Sequence, residues 1–267
     1  MKKYADLITE KTHSIFWIKF NRPQQRNAIS SEMIESFVAA LSEAEMDDSV
    51  RVIILAGEGE NFSAGGDVKD MKSKSGMFAG EANELRLRYR NGIQKIPEAI
   101  NRLNKPLIGM VHGAAVGAGC DIVSMCDYVV AEEKATFAET FSKIALVPGD
   151  GGTFFLQRAI GFRKAMEMYL TGDFYSATQA LAMGLINKVT SKENLKAETI
   201  KVADKISQNS PIAIQMTKRA LVHAYRSDLN SNLDLLSAFQ AITQRTTDHA
   251  EGLKALQQKE KPNFQGR

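Results

Sequence analysis

The chain is poor in cysteine. Its 267 residues include only Cys120 and Cys126, six apart in an apolar stretch, which suits neither a zinc spacing nor a disulfide framework. Two buried, reduced thiols are the plain reading. A reducing cytoplasm or organelle matrix fits them, and a cytoplasmic location is expected. Histidine is scarce too: His13, His112, His223 and His249 are scattered, so no metal cluster is expected. An excess of either charge is nearly absent, with 34 Lys and Arg against 31 Asp and Glu and a net +3. So small an excess gives no clustered basic stripe, and no nucleic-acid partner is expected, though a small polyanionic ligand is tolerated.

Long apolar runs are missing as well. The opening stretch, MKKYADLITEKTHSIFWIKF, has no core of signal-peptide length, because Asp6, Glu10, Lys11 and His13 interrupt it. The one long, weakly charged run is Leu107–Met125. It holds His112, Asp121, Gly109, Gly113, Gly117 and Gly119, which argues against a membrane span and for a strand, a tight turn and a helix.

What is present is an α/β pattern. Ser14–Phe20, Val50–Ala56, Leu107–Val111 and Tyr128–Ala131 are short, β-branched or aromatic runs that read as strands. Helical patterns alternate with them: Ser30 or Ser31 can cap a helix running to about Met46, and Glu81–Asn104 reads as a helix with a possible kink at Pro97. Alternation of this kind over some two hundred residues implies an α/β fold. From about Lys192 the texture becomes helical, with Glu193–Gln208, Pro211–Ala224, Leu229–Thr243 and Asp248–Lys259 all amphipathic. The division drawn is therefore 1–191 as an α/β core and 192–267 as a helical region.

Two segments carry chemistry. Gly57–Asp70 follows a strand directly, and Ala64-Gly65-Gly66 is too small to shield the backbone, so main-chain N–H groups can approach a ligand oxygen. In Val111–Asp127, Gly117-Ala118-Gly119 opens a helix whose first N–H groups lack internal partners and favour negative charge. Asp121 lies one turn further on. The helix start should hold it ionised, as a base rather than an acid; its ordinary reading is an aspartate placed for the dipole alone. Gly117-x-Gly119 is not a dinucleotide fingerprint, because the third glycine position holds Ile122. Ser63 lies outside any G-x-S-x-G elbow.

Together these segments resemble the enoyl-CoA hydratase/isomerase (crotonase) superfamily over essentially the whole chain. The matching pieces include Asn21-Arg22-Pro23 with Asn27-Ala28, Phe62 to Asp67, Gly113 to Asp121 with Cys126-Asp127, and Val147-Pro148-Gly149 with Gly151-Gly152-Thr153. Leu170-Thr171-Gly172, Gly184 to Asn187 and the Lys259–Phe264 tail match too. The resemblance implies a spiral of ββα repeats, a C-terminal helical region that drives trimerisation, and a homotrimer or dimer of trimers. Coenzyme A is implied as a thioester substrate rather than a cofactor. Gly66 and Ala118 are implied as the oxyanion hole. Gln24, Gln25, Arg26, Ala64 and Lys259 are implied as CoA contacts, although Arg26 and Lys259 are equally readable as solvated charges.

The pattern departs from the family at the acids. Hydratases of the family hold water between two glutamates; here the first position is Asp121 and the second falls on Phe141, which cannot transfer a proton. Glu139 and Asp150 are the nearby candidates for the second acid, Glu139 being the first choice. Their ordinary readings are an ion pair and a helix cap. The leading expectation is a hydro-lyase acting on a 2-enoyl-CoA. The alternatives are a double-bond isomerase and a non-catalytic member of the scaffold with a binding role. Acyl-chain preference is expected to lie with Met71–Arg90.

Overall fold

The structure, a computed structural model, describes residues 2–267. Its nine strands are β1 (Leu7–Thr12), β2 (Ile15–Phe20), β3 (Val52–Gly57), β4 (Leu107–Val111), β5 (Ala114–Val116), β6 (Tyr128–Glu132), β7 (Thr136–Ala138), β8 (Phe174–Ser176) and β9 (Lys188–Thr190). Six of them form the main sheet in the order β1-β2-β3-β4-β6-β9, and β5-β7-β8 form a smaller one. The β1–β2 pair is antiparallel, and the other neighbours in the main sheet run parallel.

The residue pattern explains why both faces of this sheet are covered. Along β2 and β3, Phe16, Ile18, Ile53 and Leu55 face the large core, while Ile15, Trp17, Val52 and Ile54 face the opposite way with Ala203 of the helix Leu195–Ser207. A parallel strand buried on both faces reads as a continuous apolar run, as Val52–Ala56 does. The large core continues under the helix Ser31–Met46, which buries Met33, Ile34, Phe37 and Leu41. Its start is fixed by Ser30 Oγ, which accepts from the Met33 N–H at 3.0 Å.

One expectation needs correction. Glu81–Asn104 is two helices, Ala82–Asn91 and Lys95–Arg102, broken at Gly92. Pro97 does not kink a long helix; it sits in the first turn of the second, where its missing N–H has no partner to lose. The polar segment Leu7–Thr12 is a strand, because an edge position needs only one paired side and tolerates exposed Glu10 and Lys11. The four C-terminal helices fall at Leu195–Ser207, Pro211–Ala224, Leu229–Thr243 and Thr247–Gln258. No helix among the described residues is long and apolar enough to cross a membrane.

Candidate active site

The glycine turn after β3 is laced onto the strand that precedes the second glycine segment. Ser63 N–H donates to Ala114 O at 3.1 Å, and Val116 N–H donates back to Ser63 O at 2.9 Å. Ser63 is thereby structural, and its hydroxyl donates to Asn27 O at 2.8 Å. Gly65 has φ +80°, and a methyl group there would come within 2.5 Å of Val116 O and 3.1 Å of the Ala118 nitrogen. Only glycine permits both the angle and the approach. That contact brings the Gly66 and Ala118 backbones side by side. Ala118 opens the helix Ala118–Ser124, so its N–H has no partner inside that helix.

Asp121, Glu139 and Asp150 converge behind these amides. Their exposures are 0%, 0% and 6%. Asp121 adjoins both Asp150 and Glu139, and Tyr169 Oη donates to Asp121 Oδ1 at 2.7 Å. Among the described residues none of the three acids is in an ion pair. Asp121 Oδ2, both Glu139 oxygens and Asp150 Oδ1 receive no hydrogen bond from any N–H or O–H donor among them. Carboxyls so placed are satisfied only by protons they carry themselves. Two like charges about 4 Å apart repel by about 4 kcal/mol even at an effective dielectric of about 20, so the cluster cannot hold three charges.

The titration directions follow. Burial, then the Glu139 and Asp150 charges, push Asp121 well above the usual carboxylate range. Burial does the same for Glu139. Burial raises Asp150 as well, while its contact with Asp121 pulls it back. The expectation that the helix start holds Asp121 ionised is therefore overturned. The helix has seven residues, and the field at its end is outweighed by complete burial beside two other acids. Asp150 is not a helix cap either: Gly151 takes that position, without a side-chain bond, before the helix Gly152–Ile160.

Two clefts meet at Gly66. A groove of about 370 Å³ is lined by Gln24, Gln25, Arg26, Ala64 and Gly66 with Asp67 and Lys69. A small cavity of about 30 Å³ is lined by Gly66, Ala118, Phe141 and Asp150, with Met71, Met77, Phe78, Tyr89 and Leu146 closing its apolar side. Asp150 is the only one of the three acids at this wall; Asp121 and Glu139 stand behind it. Phe141 packs over Gly117, its ring 3.6 Å from where a Cβ would stand. The charges Lys72, Lys74, Arg86, Arg88 and Arg90 are exposed, whereas Met71 and Met77 reach the cavity. Lys259 ends the helix Thr247–Gln258 and lines neither cleft. Tyr169 went unnoticed in the sequence, and nothing in its spacing announces it. Gly152 carried a signal, because the Asp121 carboxyl occupies the place where a side chain would be. Among the described residues no group of three or more His, Cys, Asp or Glu is placed to hold a metal ion.

A mixed α/β fold with backbone amides gathered beside buried carboxyls defines an enzyme-like scaffold, and comparison with known proteins identifies which. The family model described as enoyl-CoA hydratase/isomerase matches residues 10–267, and the chain belongs to that family. It is 36% identical to the enoyl-CoA hydratase, mitochondrial, of Pongo abelii over 254 residues, covering 95% of this chain and 84% of that protein. It is 32% identical to the 2,3-dehydroadipyl-CoA hydratase of Escherichia coli (strain K12), covering 98% and 100%. A crystal structure of enoyl-CoA hydratase from Bacillus anthracis superposes with a TM-score of 0.92 at 30% identity, covering 98% and 100%.

Proposed function

We propose that this protein binds an acyl-CoA thioester and adds water across the 2,3 double bond of a 2-enoyl-CoA. The observation that carries the reading is the meeting of the two clefts at Gly66, with the Ala118 amide and the Asp150 carboxyl at the same wall. The nucleotide end of coenzyme A would follow Gln24, Gln25, Arg26 and Ala64. The thioester oxygen would lie between the N–H groups of Gly66 and Ala118, an oxyanion hole for the enolate. Coenzyme A enters as part of the substrate, and no cofactor is invoked.

In the first step, ionised Asp150 takes a proton from water as the water oxygen bonds C3 and the π electrons move to the thioester oxygen. In the second, the enolate collapses and C2 takes that same proton from Asp150, leaving a 3-hydroxyacyl-CoA and the original carboxylate. Asp121, kept protonated, donates to Asp150 and holds its charge in place.

One observation favours a second reading, double-bond isomerisation. The cavity offers a single carboxyl, and Phe141 presents carbon where a second acid would hold water. Asp150 would then take a proton from C2 of a 3-enoyl-CoA and return it at C4 through the same enolate. The test is direct: follow loss of the conjugated thioester absorbance of crotonyl-CoA, and its appearance from a 3-enoyl-CoA. Oxygen from labelled water in the product establishes hydration. Conversion of the 3-enoyl ester alone replaces that reading with isomerisation, and inactivity on both with no calorimetric binding removes the enzyme reading and leaves the non-catalytic binding role. Exposed Leu221, Leu229, Leu253 and Leu256 on the C-terminal helices suit burial against further copies of the chain, with Lys259 reaching a neighbour's ligand; sedimentation gives the subunit number.

A further inference from the structure

We propose that Tyr169 is a positioning residue of this site: by donating its hydroxyl hydrogen to Asp121 Oδ1, it places the Asp121 proton on Oδ2 and makes Asp121 the donor toward Asp150. The inference rests on the proposed role of Asp150 as base.

The geometry leaves little choice of proton arrangement. Tyr169 Oη stands 2.7 Å from Asp121 Oδ1, whereas Asp121 Oδ2 receives no donor. An oxygen that already accepts an O–H hydrogen bond is the poorer place for the carboxyl's own proton, so the proton resides on the other. Every titratable group facing Asp121 is accounted for. Cys120 lies on its own helix, Glu139 follows β7, Asp150 precedes the helix Gly152–Ile160, and Tyr169 belongs to the helix Phe162–Thr171. Tyr89 adjoins Asp150 across the cavity. None of these is a cation, so nothing but hydrogen bonds decides where the charge sits. Tyr169 itself stays a donor: burial, then the charges of Asp121 and Glu139, push its phenol far above its ordinary value. It lines neither cleft and is thereby removed from substrate contact.

Without the hydroxyl, the Asp121 proton is free to sit on either oxygen and to turn toward Glu139. Asp150 then loses the donor that favours its ionised form. For Tyr169→Phe the expected result is a kcat lower by roughly 10- to 100-fold at neutral pH, a smaller loss than removal of the base itself. KM should stay within about threefold, and the acid limb of the rate profile should move up by about one pH unit. In an Asp121→Asn background the same change should have no further effect. Infrared spectra supply a readout independent of turnover: the protonated-carboxyl band that Asp121→Asn removes should shift in Tyr169→Phe. A loss uniform across pH, or a band that does not move, overturns the proposal. If the wild type turns over neither ester, the function reading fails, while the band shift still decides whether Tyr169 orients Asp121.

Discussion

Gly65 rests against the Val116 carbonyl so closely that a methyl group would stand 2.5 Å from the oxygen. The contact holds the two amide-bearing segments at one separation. Gly65→Ala adds both this clash and a side chain at φ +80°, and should cost about 2–4 kcal/mol. Turnover should fall by roughly 100-fold or more as the amides part. Gly161 is the internal control: its φ is +81° and its ψ 155°, with nothing within 4 Å, so Gly161→Ala carries backbone strain alone, about 1–3 kcal/mol. Equal effects of the two substitutions on rate would mean that the approach to Val116 does not matter.

Asn27 does for the groove what Gly65 does for the turn. Its side chain is fully buried, accepts from the Arg22 N–H at 2.9 Å and donates to Glu58 O and Asn61 O at 2.9 and 2.8 Å. It thereby ties the Gln24–Arg26 loop to the chain leading into Gly65. Asn27→Ala should destabilise by about 3 kcal/mol, near 1 kcal/mol per bond, measured by urea unfolding. CoA-ester affinity should weaken alongside, read by calorimetry. A stable variant with intact affinity would falsify the assignment.

Which parts of this were legible in the sequence follows from where the causes lie. Pro211–Ala224 and Leu229–Thr243 carry their boundaries in local chemistry, with Pro211 in the first turn and Asp228 accepting from the Asn230 and Ser231 N–H groups. β5, β7, β8 and β9 have three residues each, too few to show a period of two, and they exist because distant partners hold them. That Gly66 and Ala118 come to one cavity was readable because close backbone approach needs only small residues in the right place. The state of Asp121 was not. It depends on burial beside Glu139 and Asp150, which arrive from elements 18 and 29 residues downstream, and that burial outweighs both the local helix start and the Tyr169 hydrogen bond, each of which favours the charge.

Asp150 and Glu139 should separate by function. Asp150 lines the cavity, whereas Glu139 is fully buried and does not. Asp150→Asn should therefore lose roughly 100- to 10,000-fold in kcat, the range of a positioned proton-transfer group. Glu139→Gln should keep activity within about tenfold. The reverse order, measured on the same ester, would make Glu139 the reacting acid and show that it reaches the pocket when substrate binds.

The last expectation concerns stability and pH. Glu139 is fully buried without an ion pair, and burial raises it well above its ordinary value of 4.5. A carboxyl raised in the folded state binds more protons there than in the unfolded chain, so its contribution to stability falls as pH rises. The full contribution is present below the unfolded value. Loss begins near pH 4.5, proceeds at up to about 1.4 kcal/mol per pH unit, and ends once pH passes the folded value. Glu139→Gln removes this dependence. The variant should match the wild type near pH 4 and become progressively more stable than it toward neutral pH, by chemical denaturation at each pH. A stability difference that is flat across this window would mean that Glu139 is ionised at no cost, through a counter-charge the site does not contain.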